Sequence, residues 1–121
     1  SMTRVVLTTV AMIVALAAVV RGADPAGVIP FRTGVEQTLA KAQLEPRVIV
    51  LVFGAEWCPW CKKMESTTFV DPRVVGLAGR FHWVKVDIDV EPETAMRFGV
   101  RGVPQVVLLN VRGVPLASRA G

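Results

Sequence analysis

Phe53-Gly-Ala-Glu-Trp-Cys-Pro-Trp-Cys-Lys-Lys63 follows without a break on Val48-Ile-Val-Leu-Val52, and the joint between the two decides the fold. The first run is β-branched and aliphatic, the composition of a strand buried on both faces. Gly54 ends it. Pro59 suits the first position of a helix, where its missing N–H costs nothing. A buried strand that turns into a helix through Cys58 and Cys61 puts two sulfurs at the C-terminal end of a sheet strand, where chemistry collects in open α/β sheets.

Working outward, Thr33 with Glu36 three positions on predicts a capping box, and Val35, Leu39 and Ala42 recur at helical spacing until Pro46 stops the pattern. Downstream, Asp71-Pro72 opens a helical piece toward Gly79, and Phe81 to Ile88 reads as a second strand. Glu91 to Phe98 is a short helix closed by Gly99, and Val106 to Leu109 with Leu116 to Ala120 form a hairpin around Gly113. Right-handed crossovers then place the first two strands parallel in the middle of one sheet, with helices on both faces.

Residues 1–26 stand apart from a domain spanning 27–121. Val5 to Val20 is apolar but for Thr8 and Thr9 and follows a basic residue, Arg4. As a helix it would be about 24 Å long, short of the roughly 30 Å hydrocarbon core of a bilayer. The segment reads as a signal peptide or as an apolar N-terminal piece of the fold. Export predicts a periplasmic or membrane-tethered, extracytoplasmic protein.

Composition narrows the chemistry. With 121 residues, 52% of them hydrophobic, the chain has one domain's worth of core. Lysine and arginine number 14 against 10 acidic residues; Arg4 and Arg21 flank the apolar run, and without them the balance is 12 against 10. The cations are scattered, so no nucleic-acid surface is expected. Two cysteines exclude a multi-bridge scaffold, and with His82 as the single histidine they fall short of a tetrahedral zinc site. Asp87, Asp89, Glu91 and Glu93 lack the glycine-centred loop of a calcium site and read as solvated strand-end charge; no metal is expected. His82 reads as a surface or half-buried residue.

The two sulfurs carry the chemistry. At a helix N-terminus the unpaired N–H groups and the macrodipole favour an anion, which draws a thiol toward ionisation near neutral pH. Cys58 is therefore the expected nucleophile. Cys61, one turn further in and more shielded, is the expected resolving thiol, displacing a partner from a mixed disulfide. Lys62 and Lys63 read as a solvated helix face.

Three stretches in order, Phe53 to Lys63, Val84-Lys-Val-Asp-Ile-Asp-Val-Glu-Pro92 and Phe98-Gly-Val-Arg-Gly-Val-Pro-Gln105, resemble the thioredoxin superfamily, in particular its exported thiol-disulfide interchange domains. The resemblance covers about Val35 to Ala120. It implies an α/β fold, the thioredoxin-like three-layer sandwich with a central mixed sheet flanked by helices. It also implies a thiol-disulfide oxidoreductase that acts on protein thiols and disulfides through Cys-Pro-Trp-Cys, with no cofactor, recharged by a redox partner protein. Trp57 would pack beside the active-site loop, and Pro59 and Trp60 would tune the potential. Val103-Pro104 would be a cis peptide facing the sulfurs and pairing with substrate, with Gly102 giving the loop room.

Two departures accompany the resemblance. Val52 stands where many members have a buried acid six residues before the first cysteine, which leaves Lys85 without its usual partner and the resolving proton to Glu56, Lys85 or water. The usual C-terminal helix is lacking after the hairpin, so the N-terminal segment (with membrane anchoring), a dimer partner or a swapped element is expected to cover that sheet face. Two other functions compete: a non-catalytic binding module, against which the intact cysteine pair argues, and a glutaredoxin-like, glutathione-dependent enzyme, which Cys-Pro-Trp-Cys resembles but Glu56-Trp57 does not. Whether the pair reduces, oxidises or isomerises is open.

Overall fold

Helix α1, Val35–Leu44, turns Val35, Thr38 and Ala42 inward. Its start differs from the expected capping box: Gly34 is the cap residue, at φ 89°, and no side chain caps the helix. A positive φ costs glycine little, so the chain turns into the helix through backbone geometry. The freed Glu36 instead pairs with Arg97, and Thr38 donates its hydroxyl to the Gly34 carbonyl at 2.8 Å. These contacts belong to a computed structural model that describes residues 27–121. The signal-peptide or apolar-segment reading of residues 1–26 lies outside the described residues.

Strand β1, Val48–Gly54, is followed by α2, Pro59–Thr67, a 3-10 turn at Thr68–Val70, the short α3 at Pro72–Val75 and a second 3-10 turn at Ala78–Arg80. Then come β2 at Phe81–Asp87, α4 at Pro92–Arg97, β3 at Gln105–Leu109 and β4 at Pro115–Ala120. The sheet order is β2-β1-β3-β4, with β1 and β2 parallel and the other neighbours antiparallel. Among the described residues β1 and β3 are the interior strands and β2 is an outer one, so the expectation that both parallel strands lie in the middle is corrected. Beyond β2, among the described residues, the chain adds a single bridge, Arg32 to Val84. Pro30, which has no N–H to give a ladder, stands two residues before it.

Alternation along the strands sorts the core into two layers. Ile49, Leu51, Phe53, Val84, Val86, Val107 and Leu109 face Val35, Leu39 and Ala42 of α1 and Ala95 of α4. Val50, Val52, Trp83, Val106 and Leu108 face Met64 of α2 together with Phe31, Phe69, Val74 and Ala78. Helices therefore cover both faces of the mixed sheet, the three-layer arrangement expected. His82, expected near the surface, is buried. It lies on the α1 side, and its Nε2 donates to the Glu45 carbonyl at 2.7 Å; a carbonyl only accepts, so Nε2 carries the hydrogen.

Candidate active site

Strand β1 delivers the chain to the site by being apolar on both sides, so nothing but the sheet interior suits it. After Gly54 the chain turns through Ala55, and the Cys58 N–H donates to the Ala55 carbonyl at 3.2 Å. Cys58 is the N-cap of α2, in extended conformation, with Pro59 at the helix start. Its Sγ accepts the Cys61 N–H at 3.2 Å. Sulfur thus takes the place of the serine or aspartate oxygen that commonly caps a helix, at the end where the macrodipole favours negative charge. Both cysteines are free thiols.

Their burial differs from expectation. Cys58 is 3% exposed and Cys61 8%, so the first sulfur is no more open than the second. Capping explains it: to receive the Cys61 N–H, the Cys58 side chain folds back over the first helical turn. Cys61 lines a cavity of about 180 Å³ with Gly54, Glu56, Glu65, Lys85 and Pro104. A Cβ placed on Gly54 would meet the Cys61 sulfur at 3.4 Å, so the glycine sets how closely strand and helix approach. Burial pushes the Cys61 thiol up to about 11, and its hydrogen bond with Cys58 and the nearby Glu65 charge push the same way, while a backbone hydrogen bond at Ala55 opposes them.

Lys85 is not left without a carboxylate. Glu65 of α2 reaches its Nζ at 2.9 Å. Val52, where an acid was missed, is buried and pairs in register with Lys85 across the parallel ladder. Glu65 is the residue that sequence reading overlooked, although a signal existed: it lies four residues after Cys61, on the same helical face. Glu56 is exposed at the mouth of the same cavity.

The remaining expected residues surround this pair. Trp57 is 65% exposed, and its indole Nε1 donates to Asp89 Oδ2 at 2.8 Å. Asp89, read as mere strand-end charge, therefore ties the loop before Cys58 to the turn after β2. Asp87 orders that turn by accepting the Asp89 N–H at 2.8 Å. Trp60 is equally exposed, with the Lys63 Nζ 5.0 Å from its ring centre. The Val103–Pro104 peptide is cis, and Pro104 is buried against the Cys61 cavity. Gly102 is exposed, and a Cβ there would meet no atom of the described residues within 4 Å.

Chemically, the arrangement offers a capping sulfur flanked in sequence by two exposed tryptophans, a protonated sulfur one turn further into the helix, and an acid-base pair that shares the second sulfur's cavity. Comparison with known proteins bears on the fold and the family. The thiol:disulfide interchange protein DsbD of Pseudoalteromonas atlantica is 28% identical over 87 residues, which are 69% of this chain and 15% of that protein. A thioredoxin of Rickettsia conorii is 35% identical over 62% of this chain and 70% of its own length. The solution structure of a thioredoxin from Thermus thermophilus superposes with a TM-score of 0.65 at 30% identity, covering 75% of each chain. The chain thus spans a small part of the interchange protein and about three quarters or a little less of these two thioredoxins. The family model described as thioredoxin-like matches residues 31–110, and with the cysteine-capped helix and mixed sheet this places the chain in the thioredoxin-like family.

Proposed function

We propose that this domain is a thiol-disulfide oxidoreductase acting on protein disulfides, with Cys58 as nucleophile and Cys61 as resolving thiol. The observation that carries the reading is the capping geometry: the Cys58 sulfur receives the Cys61 N–H at the start of α2. As a thiolate, Cys58 attacks a substrate disulfide; a Cys58–substrate bond forms, the substrate S–S bond breaks, and the released sulfur takes a proton. Cys61 then gives up its proton and attacks the Cys58 sulfur, releasing the second substrate thiol. Two electrons pass to the substrate, and a dithiol partner protein restores the pair. The same steps in reverse oxidise a dithiol. Trp57, Trp60 and the Val103–Pro104 loop form the docking surface for an extended substrate segment. Residues 1–26 serve to carry the domain out of the cytoplasm or hold it at a membrane.

The resolving proton needs an acceptor, because a thiol raised to about 11 is almost wholly protonated at neutral pH. Glu65 supplies it across the shared cavity, in direct contact or through a water, and Lys85 holds the carboxylate in place. With both partners about half exposed, the ion pair adds little to stability. Its use is in proton transfer.

Reduction of a protein disulfide by the dithiol form, with and without glutathione, tests the function. Turnover without glutathione supports it; turnover that requires glutathione would move the domain to the glutaredoxin-like reading, and none in either case to a binding module. Changing Cys61 to Ser should trap the Cys58 mixed disulfide. In Glu65→Gln, resolution at neutral pH should slow by about 10²-fold or more, the usual range for a positioned acid-base group, and the gap to wild type should close at high pH, where hydroxide takes the proton. A uniform slowing at every pH would remove Glu65 from the proton path.

A further inference from the structure

The parallel strands have a second end. Six steps along β2 from Asp87 to Phe81 carry the chain about 20 Å from the dithiol, to a cavity of about 320 Å³. Its lining includes Arg32, Lys41 and Arg47 and, among the described residues, no acidic residue. They come from three different segments. Arg32 belongs to the bridge beside β2, locked by its N–H donating to the Trp83 carbonyl and its carbonyl accepting the Lys85 N–H, both at 2.9 Å. Lys41 is on α1 and Arg47 directly precedes β1.

Lys41 is partly neutralised by Glu45, 3.5 Å away. Among the described residues, neither arginine makes an ion pair. Solvated arginines are ordinary singly, but two that converge with a lysine on one hollow repel each other at some cost, which a bound anion reverses. The hollow is also not a shallow polar dish. Phe81, Val28 and Pro30 wall it, and it reaches down to the buried Trp83 and Ala78. The polar groups at its base are committed: the Trp83 indole N–H donates to the Ala78 carbonyl at 2.9 Å, and His82 Nε2 to Glu45. What remains for a ligand is the apolar wall and the two arginines that line the hollow beside it.

We propose that this cavity is a binding site for a small organic phosphate monoester whose apolar or aromatic body lies against Phe81 and Val28. The charge selects phosphate over carboxylate. A monoester carries about −1.5 to −2 near neutrality and offers three acceptor oxygens, which matches two guanidiniums, whereas one carboxylate satisfies one. The volume falls at the small end of ligand pockets, about 300 to 1,000 Å³, which admits one ring with its phosphate. The site is independent of the dithiol chemistry.

Phenyl phosphate is the probe, titrated calorimetrically into the full 121-residue chain at low salt. Saturable binding at least about tenfold tighter than that of inorganic phosphate is expected, because the ring adds apolar burial. The double variant R32Q/R47Q should lose about tenfold or more, while C58S/C61S binds as the unaltered chain does. Both arginines are exposed, and far-UV circular dichroism checks that the double variant folds. In the unaltered chain, affinity should fall as salt rises, a measurement that requires no variant. Inorganic phosphate binding as well as phenyl phosphate, undiminished affinity in R32Q/R47Q, salt-independent affinity, or the absence of saturable binding would each overturn the proposal.

Discussion

Cys61 holds its proton because its surroundings disfavour charge, and that has a consequence for stability. The folded-state value is raised from 9.0 to about 11, chiefly by burial. A group whose pKa is raised on folding contributes stability that is fully present below its unfolded value and is lost as pH rises through the folded one. The reduced domain should therefore lose stability between about pH 9 and pH 11. Cys61→Ala should flatten this part of the profile. Denaturant midpoints of the two reduced proteins, measured across that window, make the comparison; parallel curves would mean that the thiol titrates alike in both states. Cys58 and Pro59 were legible in the sequence because a cap and a first-turn proline are local features, readable from neighbours. Glu65 was not, since its meaning comes from Lys85, which is near it only through the packing of α2 on the sheet.

At the scale of elements, the links between α2 and β2 look too short to matter, yet they close one core. The four-residue α3 is capped by Asp71, whose side chain accepts the Arg73 N–H at 2.8 Å and pairs with the Arg73 guanidinium at 2.7 Å. These hydrogen bonds from Arg73 hold the Asp71 carboxyl down at about 2, from an ordinary 3.8. A pKa lowered on folding contributes stability that is present above the unfolded value and is lost as pH falls through the folded one. Acidification from about pH 4 toward pH 2 should thus loosen this link first. Hydrogen-exchange protection at Val74 and Val75, taken relative to the intrinsic rate at each pH, should fall over that range in wild type and already be low in Asp71→Ala. Unchanged protection in the variant would show that Phe69 and Ala78 alone anchor the link. The Asp71-Pro72 signal was readable, as was the order of strands and helices. The start of α1 was not, because Thr33 with Glu36 fits a capping box that a left-handed Gly34 makes unnecessary. Nor was the outer position of β2, since a run of apolar residues reads alike at the centre and at an edge covered by a bridging segment.

Across the whole molecule the two core layers are unequal. On the α1 side every sheet residue of the cluster is shut off from solvent, with Leu51, Phe53 and Leu109 fully buried. On the α2 side, Val106 and Leu108 are only half-buried. The strand beside them, β4, is exposed along its whole length, and Ala117 and Arg119 are the partners of Leu108 and Val106 in its ladder. Closure therefore fades from the α2 end of that face toward β4. Because destabilisation on truncation follows the area removed from water plus the cavity left, the same substitution should weigh the two faces differently. Leu51→Ala should cost about 3 to 5 kcal/mol, the upper part of the range for fully enclosed sites. Leu108→Ala should cost about half that or less, because its side chain already meets solvent and the gap fills with water. Equilibrium unfolding in guanidinium, read as midpoint shifts at constant slope, gives both values. Equal losses would mean that the half-open face is covered in solution by something as apolar as a helix, and a larger loss at Leu108 would place the main core on that side.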